Sequence, residues 1–307
     1  YVGSDSSVYF SAQNFESYGA ISGNKLDSLK PGHRYEYTED GAKRFHADWA
    51  LWKAAGDRTE MVWESPWGKG FPGWHIECSA MSLELLNGHV DIHVGGIDLR
   101  FPHHENERAQ SNALINKEAV DLWVHGEHLL FEGKKMSKSS GNVVLLSDVI
   151  KRGIDPLAIR LCFLENKYRS QMDLTWNSIE AADETLKRWR MKMAQWSSDN
   201  SISVDAEIER AFNADIDTST AIMRLREIEK DNSENKASVF RYADQVLALD
   251  LDRPIEARVL TPQMKTLLDQ RATARNDKQW AESDRLRIEL ENLGLSIKDT
   301  PEGQLWS

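Results

Sequence analysis

The chain has 307 residues, of which 40% are apolar and 28% charged, and its formal net charge is −11 at pH 7. This length suffices for two domains with cores of their own, and the charge excludes a protein coated in cations for generic nucleic-acid binding, although local basic patches stay compatible with such a partner. Two cysteines are too few for a disulfide framework and indicate a reducing compartment. There is no apolar run of about twenty residues and no signal-peptide pattern, so no membrane role is expected.

The first 170 residues alternate strand-like and helical patterns. Short alternating stretches such as SSVYFSA, with the turn signals GNKLDS and KPGHRY, predict a small β-containing subdomain in the first seventy residues. HVDIHVGG and DLWVHGEHLLFEG flank a helix that begins in FPHHENERAQSNAL, with Pro102 in its first turn. Strand, helix and strand at this spacing predict part of a parallel α/β sheet.

From about Leu145 onward the pattern is helical. SSDNSIS indicates a loop, and a later helix is expected near residues 237–249. Thr261 and Pro262 resemble a helix start, and the last helix, in WAESDRLRIELENLG, is expected to stop at Gly294. One stripe with helical spacing predicts a buried helix face, formed by Ile179, Ala182, Leu186, Trp189, Met193 and Trp196.

A candidate metal site combines Cys78, in FPGWHIECSAM, with His103 and Glu107. His103 and Glu107 are four residues apart and so lie on one face of a helix. A Cys/His/Glu set with one open position suits catalytic zinc. The alternative is a buried free cysteine beside a helix start that happens to hold His and Glu. His104 and Glu105 are expected to point away from the metal, toward residues that support the ligands or toward solvent.

Two further segments suit a nucleotide. In HVGGIDLR, Gly95 and Gly96 end a strand and Asp98 follows, which allows a close approach to a nucleotide and an acceptor for a ribose hydroxyl. A tight turn with a structural Asp explains this segment equally well. In GKKMSKSSGN, lysines on a glycine-containing loop can neutralise phosphate oxygens, although a lysine-rich loop alone is often only solvated.

The string KMSKS, residues 135–139, matches the signature of class I aminoacyl-tRNA synthetases. Together with PGWHIECSAM, GGIDLRFPHHENERAQS, KYRSQM and the closing ARNDKQWAESDRLRIELENLGLSIKDTPEGQLW, it makes most of the chain resemble the cysteinyl-tRNA synthetase family. The resemblance implies an α/β fold: the second half of a class I Rossmann-type catalytic domain with an inserted subdomain remnant, then an α-helical bundle and a small C-terminal anticodon-binding region. The implied segments are the end of the insertion (1–72), the catalytic half (73–144), a linking stem-contact region (145–174), the helical bundle (175–260) and the anticodon-binding region (261–307).

The resemblance also implies roles for individual residues. Cys78, His103 and Glu107 correspond to ligands of one zinc ion, which selects the substrate thiolate over a serine hydroxyl. Trp74 and His93 correspond to the lining of the substrate pocket. The residues implied for ATP, which enters with Mg as a substrate, are Gly95, Gly96, Asp98 and Lys138, and the catalytic loop lysines are Lys135 and Lys138. Cys162 matches no ligand and is expected to pack inside a helix.

The implied function is ATP-dependent activation of cysteine to cysteinyl-adenylate and transfer to tRNA(Cys) in the cytoplasm. KRWRMK, residues 187–192, and Trp306 are candidates for RNA contact.

The family's HIGH-type motif and fourth zinc ligand, a cysteine, do not occur in these residues, and HGEH at 125–128 is interpreted as a coincidence. We therefore expect an exposed strand edge and poor activity of this segment alone. We also expect the full-length chain to supply the N-terminal half that these residues lack. The alternatives are a truncated or degenerate non-catalytic tRNA-binding homologue and the related ligase that joins cysteine to an amino sugar in mycothiol synthesis.

Overall fold

A computed structural model describes residues 1–29, 42–136, 142–196, 200–254, 260–295, 297–300 and 303–306. The chain divides into two compact units, the first formed by residues 1–187 and 200–249 and the second by residues 188–199 and 250–307. The finer division into five segments stays a prediction.

Three short strands near the start form an antiparallel sheet: β1 (Val8–Phe10), β2 (Trp49–Ala54) and β3 (Gly70–Pro72), in that order. Single 3₁₀ turns at Ala12–Asn14 and Leu26–Ser28 follow β1. The sheet confirms the β strands expected in this part of the chain, and their division into a separate subdomain stays a prediction. The predicted turn KPGHRY, at residues 31–36, lies outside the described residues.

The predicted parallel unit is confirmed. After α1 (Trp74–Leu85), strands β4 (Val90–Gly96) and β5 (Val120–Gly126) pair in parallel register, and α2 (Glu105–Ile115) connects them. The position of Pro102 agrees with the prediction. Phe101 has extended backbone angles (φ −142°, ψ 132°), and Pro102 directly follows it, in the turn that continues through His104 into α2.

Helix α2 is buried although most of its residues are polar. Its residues 105–112 are all buried, and their hydrogen bonds go to the N-terminal subdomain and to the loop before β5. The Tyr18 hydroxyl donates to Asn106 Oδ1 at 2.6 Å, and Trp49 Nε1 donates to Gln110 Oε1 at 2.9 Å. Because most of these buried polar groups have partners, the helix is held in one orientation; Glu105 Oε1 and Glu107 Oε1 are exceptions.

A second small sheet follows β5. Strand β6 (Leu129–Phe131) pairs antiparallel with β7 (Lys134–Lys135) and parallel with β8 (Met172–Leu174). Helices α3 (Leu146–Lys151) and α4 (Leu157–Leu164) lie between β7 and β8 in the chain, and Cys162 of α4 is buried as predicted.

Helices make up the rest of the first unit, and the long helix that begins at Trp176 continues into the second unit from Arg188 onward. Helix α5 (Trp176–Trp196) buries the predicted stripe from Ile179 to Met193, and Trp196 at its end is half-buried. Three more helices follow: α6 (Ala206–Asn213), α7 (Thr218–Lys230) and α8 (Lys236–Leu247). The carboxylates of Asp205 and Asp217 accept backbone N–H groups at the starts of α6 and α7, which stabilises both helix N-termini.

The second unit contains a helical hairpin and a β-hairpin. Helix α9 (Pro262–Asn276) begins after Thr261, whose hydroxyl accepts from Met264 N, as the sequence predicts. Helix α10 (Trp280–Asn292) ends before Gly294, which has a positive φ of 84°. Strands β9 (Ile297–Thr300) and β10 (Gly303–Trp306) pair antiparallel. The core is a set of leucines with one Met and one Ile: Met264, Leu267, Leu268, Leu286, Leu290, Leu295 and Ile297.

The β4–β5 sheet exposes apolar side chains. Across the described ranges these two strands pair only with each other, and Ile92, Val94 and Leu122 are 59%, 65% and 53% exposed. The expectation of an open strand edge with unburied apolar surface is therefore confirmed. Among the helices that the structure describes, none is long and apolar enough to cross a membrane.

Candidate active site

The start of α1 is held against β2 by a glycine. A Cβ atom at Gly73 would lie 1.9 Å from the carbonyl oxygen of Ala50, so only glycine allows this approach. Helix α1 starts at the next residue, Trp74, and Cys78 lies one turn further on the same face. The close approach of α1 to β2 thus places both side chains beside the start of α2.

Cys78, His103 and Glu107 converge as the sequence predicts. Their ligand atoms all lie within 4.8 Å of one another, and the side chain of His103 is 5% exposed and that of Glu107 3%. His103 Nε2 lies 2.6 Å from Glu107 Oε1, yet within the described chain this buried oxygen accepts no hydrogen bond. A buried carboxylate oxygen that accepts no hydrogen bond, and that lies beside a thiol and an imidazole, is suited to bind a metal ion.

A second group of possible ligands overlaps the first. His93, His104 and Glu107 also have ligand atoms within 4.8 Å of one another. His93 Nε2 lies 3.5 Å from Glu107 Oε2, so the two oxygens of this carboxylate face two different histidines. The sulfur of Cys78 distinguishes the predicted group, because thiolate with imidazole and carboxylate suits zinc better than any oxygen-preferring ion.

Burial keeps several imidazoles of the site neutral. Burial first, and then the nearby His103 and Lys53, lower the pKa of His75 to about 4. Burial, together with His93, His125 and His103, lowers the pKa of His104 to about 3. Burial raises the pKa of the Cys78 thiol, and the charges of Glu107 and Glu77 add to this rise. A bound metal ion reverses the direction at such a thiol, because it stabilises the thiolate.

The two residues predicted to line the substrate pocket lie beside this group. The ring centroid of Trp74 is 4.3 Å from that of His103, and Trp74 is 60% exposed, so its ring is available to a substrate. The ring of His93 lies 4.7 Å from the ring of Trp123 on β5. Trp74 and His93 therefore approach the buried carboxylate of Glu107 and its partner His103 from different elements.

At the end of β4, the glycines make room for neighbouring side chains. A Cβ atom on Gly95 would lie 2.5 Å from Cε1 of His104, and one on Gly96 would lie 2.5 Å from Oδ1 of Asp98. The close contact that requires Gly95 is thus a histidine ring, whereas the sequence suggested a nucleotide. Asp98 is exposed. A cavity of about 640 Å³ extends from these strand ends over the exposed face of the sheet, and its lining includes Gly95, Gly96 and Gly126 together with Ile92, Val94 and Leu122.

The lysine signature begins on the second strand of the β6–β7 hairpin, and several hydrogen bonds hold the turn of this hairpin. Gly133 N donates to the two carboxylate oxygens of Asp173 at 2.9 and 3.1 Å, and Asn142 Nδ2 donates to the carbonyl of Phe131 at 2.8 Å. Lys135 is exposed on β7. Lys138 lies outside the described residues.

Sequence reasoning missed His75 and His125. His75 Nδ1 lies 2.8 Å from His103 Nδ1, and His104 Nδ1 lies 2.8 Å from His125 Nε2. His125 could have been inferred from the parallel register, which places it beside Gly95.

The expectation that His104 and Glu105 could point toward solvent was wrong, because both are buried. One oxygen of Glu105 accepts hydrogen bonds from Ile21 and Ser22 in the N-terminal subdomain.

Two residues of the KRWRMK segment are not available for the predicted RNA contact, whereas Lys187 and Met191 are exposed and the contact stays a prediction there. Trp189 is fully buried, and Arg190 is buried and donates to the backbone carbonyl of Asp250. The side chain of Trp306 lies outside what the structure describes. An exposed aromatic side chain of the same unit is Trp280, 57% exposed, with the guanidinium of Arg275 5.8 Å from its ring centroid.

A parallel β–α–β unit, a possible metal group at its edge and the lysine signature together define a class I aminoacyl-tRNA synthetase. Residues 1–184 match the tRNA synthetases class I (C) catalytic domain, and residues 257–306 match the cysteinyl-tRNA ligase anticodon binding domain. The chain is 39% identical to the cysteine–tRNA ligase of Thermus thermophilus over 98% of this chain and 68% of the relative. The ligase of Chlamydia caviae is 38% identical over 99% of this chain and 69% of that protein.

The chain therefore belongs to the cysteinyl-tRNA ligase family. A third relative, the cysteine–tRNA ligase of Bacillus pumilus, is 37% identical over 98% of this chain and 70% of its own length. The chain thus spans about two thirds of the length of these relatives.

Proposed function

We propose that this chain provides the zinc site, part of the ATP site and the tRNA-reading end of a ligase that joins cysteine to tRNA(Cys). The convergence of Cys78, His103 and Glu107, with Trp74 and His93 around them, carries this proposal. A thiol, an imidazole and a carboxylate that converge in this way are a donor set for zinc.

A zinc ion bound there would act as a Lewis acid and favour the thiolate form of the substrate cysteine. Pocket shape discriminates weakly between near-isosteres such as cysteine and serine, so a sulfur-selective centre explains how serine is rejected. The chain's own residues hold and frame this centre. Glu107 faces both His103 and His93, and Trp74 presents an exposed ring beside His103, where it shields one side of a bound substrate.

The part of the cavity at the ends of β4 and β5, lined by Gly95, Gly96 and Gly126, is the proposed position of ATP, which enters with Mg as a substrate. Ligands of open α/β sheets bind at the carboxyl ends of the strands. Gly95 and Gly96 end β4 there, and the exposed carboxylate of Asp98 suits a ribose hydroxyl. Lys135, and Lys138 by its place in the signature, are proposed to neutralise phosphate charge during adenylate formation.

The second unit is proposed to bind the anticodon end of tRNA. Trp280 offers an exposed ring for stacking on a base, and Arg275 adds a cation beside it. The match to an anticodon binding domain supports tRNA as the acceptor over the amino sugar of the rival ligase.

We further propose that full activity needs a polypeptide segment with the HIGH-type motif and a fourth, cysteine ligand. The open edge and apolar face of the β4–β5 sheet suit such a segment, which would add a strand and cover Ile92, Val94 and Leu122. A role in translation and two unpaired cysteines support a cytoplasmic location.

The test combines zinc content with cysteine-dependent exchange between ATP and pyrophosphate. The chain is expected to bind one zinc ion, and Cys78→Ser is expected to lose it, whereas Cys162→Ala, at the buried cysteine of α4, is expected to keep it. When the chain is joined to the segment with the HIGH-type motif, exchange is expected with cysteine and not with serine, and charging is expected with tRNA(Cys). Binding of tRNA without any exchange, even with zinc and that segment supplied, would favour the non-catalytic homologue. Product formation with an amino sugar would favour the rival ligase.

A further inference from the structure

The imidazole of His103 lies between two polar partners, one at each ring nitrogen. On one side, its Nδ1 is 2.8 Å from Nδ1 of His75, which projects from the first turn of α1. On the other side, its Nε2 is 2.6 Å from Oε1 of Glu107 and points into the group that includes Cys78. Whatever fixes the hydrogen of His103 therefore decides whether Nε2 can bind a metal ion.

Hydrogen-bonding rules leave two arrangements for this contact. In a bond between two imidazole nitrogens, one nitrogen donates its hydrogen and the other accepts through its lone pair. If His75 donates, the single hydrogen of neutral His103 sits on Nε2 and blocks metal binding. If His103 donates from Nδ1, its Nε2 is bare and its lone pair points toward Glu107 and Cys78. A metal ligand requires the second arrangement.

We propose that His75 is a positioning residue for the metal centre: it accepts the Nδ1 hydrogen of His103 and so holds the Nε2 lone pair toward Cys78 and Glu107. The inference rests on the zinc site proposed above. Metal-binding histidines usually donate their second N–H to a carboxylate, a backbone carbonyl or water. Here another imidazole takes that place, and Trp74, the residue before it, packs its ring 4.3 Å from the ring of His103.

The structure contains a matched pair that serves as a control. His104 Nδ1 and His125 Nε2 are also 2.8 Å apart, and His104 belongs to the overlapping group with His93 and Glu107. If the metal ion were held by that group, His125 would be the supporting acceptor and His75 would be irrelevant. Substitutions at His75 and His125 therefore distinguish the two possible centres.

The experiment measures zinc affinity by competition with a chromophoric chelator, using the whole 307-residue chain at pH 7.5. His75→Leu keeps the side-chain volume but removes the acceptor, and it is expected to raise the zinc dissociation constant about 10- to 100-fold. His75→Asn places an amide oxygen near the position of Nδ1 and is expected to restore most of the affinity, whereas His75→Gln, whose amide lies further out, is not. His125→Leu is expected to bind zinc as the unchanged chain does.

Several outcomes would overturn the inference. Equal losses in His75→Leu and His75→Asn would show that His75 contributes only packing. A loss in His125→Leu without one in His75→Leu would assign the metal ion to His93, His104 and Glu107. Thermal unfolding of the metal-free protein shows whether His75→Leu folds. If it does not fold, the zinc affinities of His75→Asn and His75→Gln are compared instead, and equal affinities reject the positioning role of His75. Absence of zinc binding by the unchanged chain would remove the zinc site itself, which is a failure of the proposed function.

Discussion

Arg271 of α9 is completely buried, which is rare for a guanidinium, and its burial depends on one carboxylate. Its Nη1 and Nη2 donate to the two oxygens of Asp299 at 2.9 and 3.0 Å, and Nη1 also donates to Gln304 Oε1 at 2.7 Å. These bonds tie the β9–β10 hairpin to the helical hairpin of the second unit.

We expect Arg271→Met to lower the free energy of unfolding of the second unit by about 3 kcal/mol. This is the low end of the range for losing one partner of a buried ion pair, because Asp299 keeps Arg275 and Arg287. Urea unfolding followed by tryptophan fluorescence measures the change. Arg285→Met, at an arginine that is 58% exposed, is the matched control and should change stability by less than about 1 kcal/mol. Similar values for the two variants would contradict the structural role of Arg271.

Asp299 makes the stability of the same unit depend on pH. Its hydrogen bonds to Arg271, and the charges of Arg271, Arg275 and Arg287, lower the pKa of Asp299. The pKa of an aspartate in an unfolded chain is about 3.9, so the unfolded state takes up a proton before the folded state does as the pH falls. The stabilisation is therefore complete above about pH 5 and is lost as the pH falls through the lower native pKa.

Asp299→Asn should accordingly flatten the fall in unfolding free energy between pH 5 and pH 2, while lowering stability at pH 7. The measurement is a series of urea unfolding curves across that range. In an Arg271→Met background the same substitution should change the slope less, since the largest cause of the pKa shift is already gone. An unchanged slope in both backgrounds would assign the acid sensitivity to other groups.

At the scale of elements, the sequence predicted the β4–α2–β5 unit because strands and helices of this kind leave a local periodicity. It also placed His103 beside Glu107, because their i, i+4 spacing is local, whereas Cys78 was added by the chemistry of the donor set and by the family resemblance. The contacts that hold α2 were not predictable in this way. Tyr18 and Trp49 come from positions 88 and 61 residues away from their partners in the chain, and no local pattern marks such pairs. His75 and His125 escaped for the same reason, since their roles arise only from tertiary contact.

The β6–β7 hairpin before the lysine signature gives a prediction of its own. Glu132 and Gly133 both have positive φ angles, 51° and 72°, and Asp173 holds the turn through the amide of Gly133. Removing this acceptor with Asp173→Ala should speed hydrogen exchange of the Gly133 amide by roughly fivefold, which corresponds to a hydrogen bond worth about 1 kcal/mol. Exchange measured by mass spectrometry over residues 131–136 tests this. Asp121→Ala, at an exposed aspartate that hydrogen-bonds His89 instead, should leave the hairpin unchanged, and equal protection in both variants would reject the role of Asp173.

For the whole molecule, the net charge of −11 opposes self-association, whereas the uncovered face of the β4–β5 sheet favours it. Ile92, Val94 and Leu122 lie on adjacent strands, and Ile92 and Leu122 are direct neighbours in the register. These side chains also line the 640 Å³ cavity, and a contiguous apolar surface of this kind attracts other apolar surfaces, including a second copy of the same face.

The triple substitution Ile92→Thr, Val94→Thr and Leu122→Thr should therefore weaken self-association by at least about tenfold, which requires only about 1.4 kcal/mol from three partly exposed side chains. Threonine keeps the strand preference of the two β-branched residues, so the sheet should persist. Sedimentation velocity at increasing protein concentration measures the change. Met223→Gln with Ile288→Gln removes apolar side chains of similar exposure from α7 and α10 and leaves the sheet residues unchanged, so it should have little effect. If this control reduces association as strongly as the triple variant, the sheet face is not the surface responsible, and the apolar character of the whole chain would explain the behaviour instead.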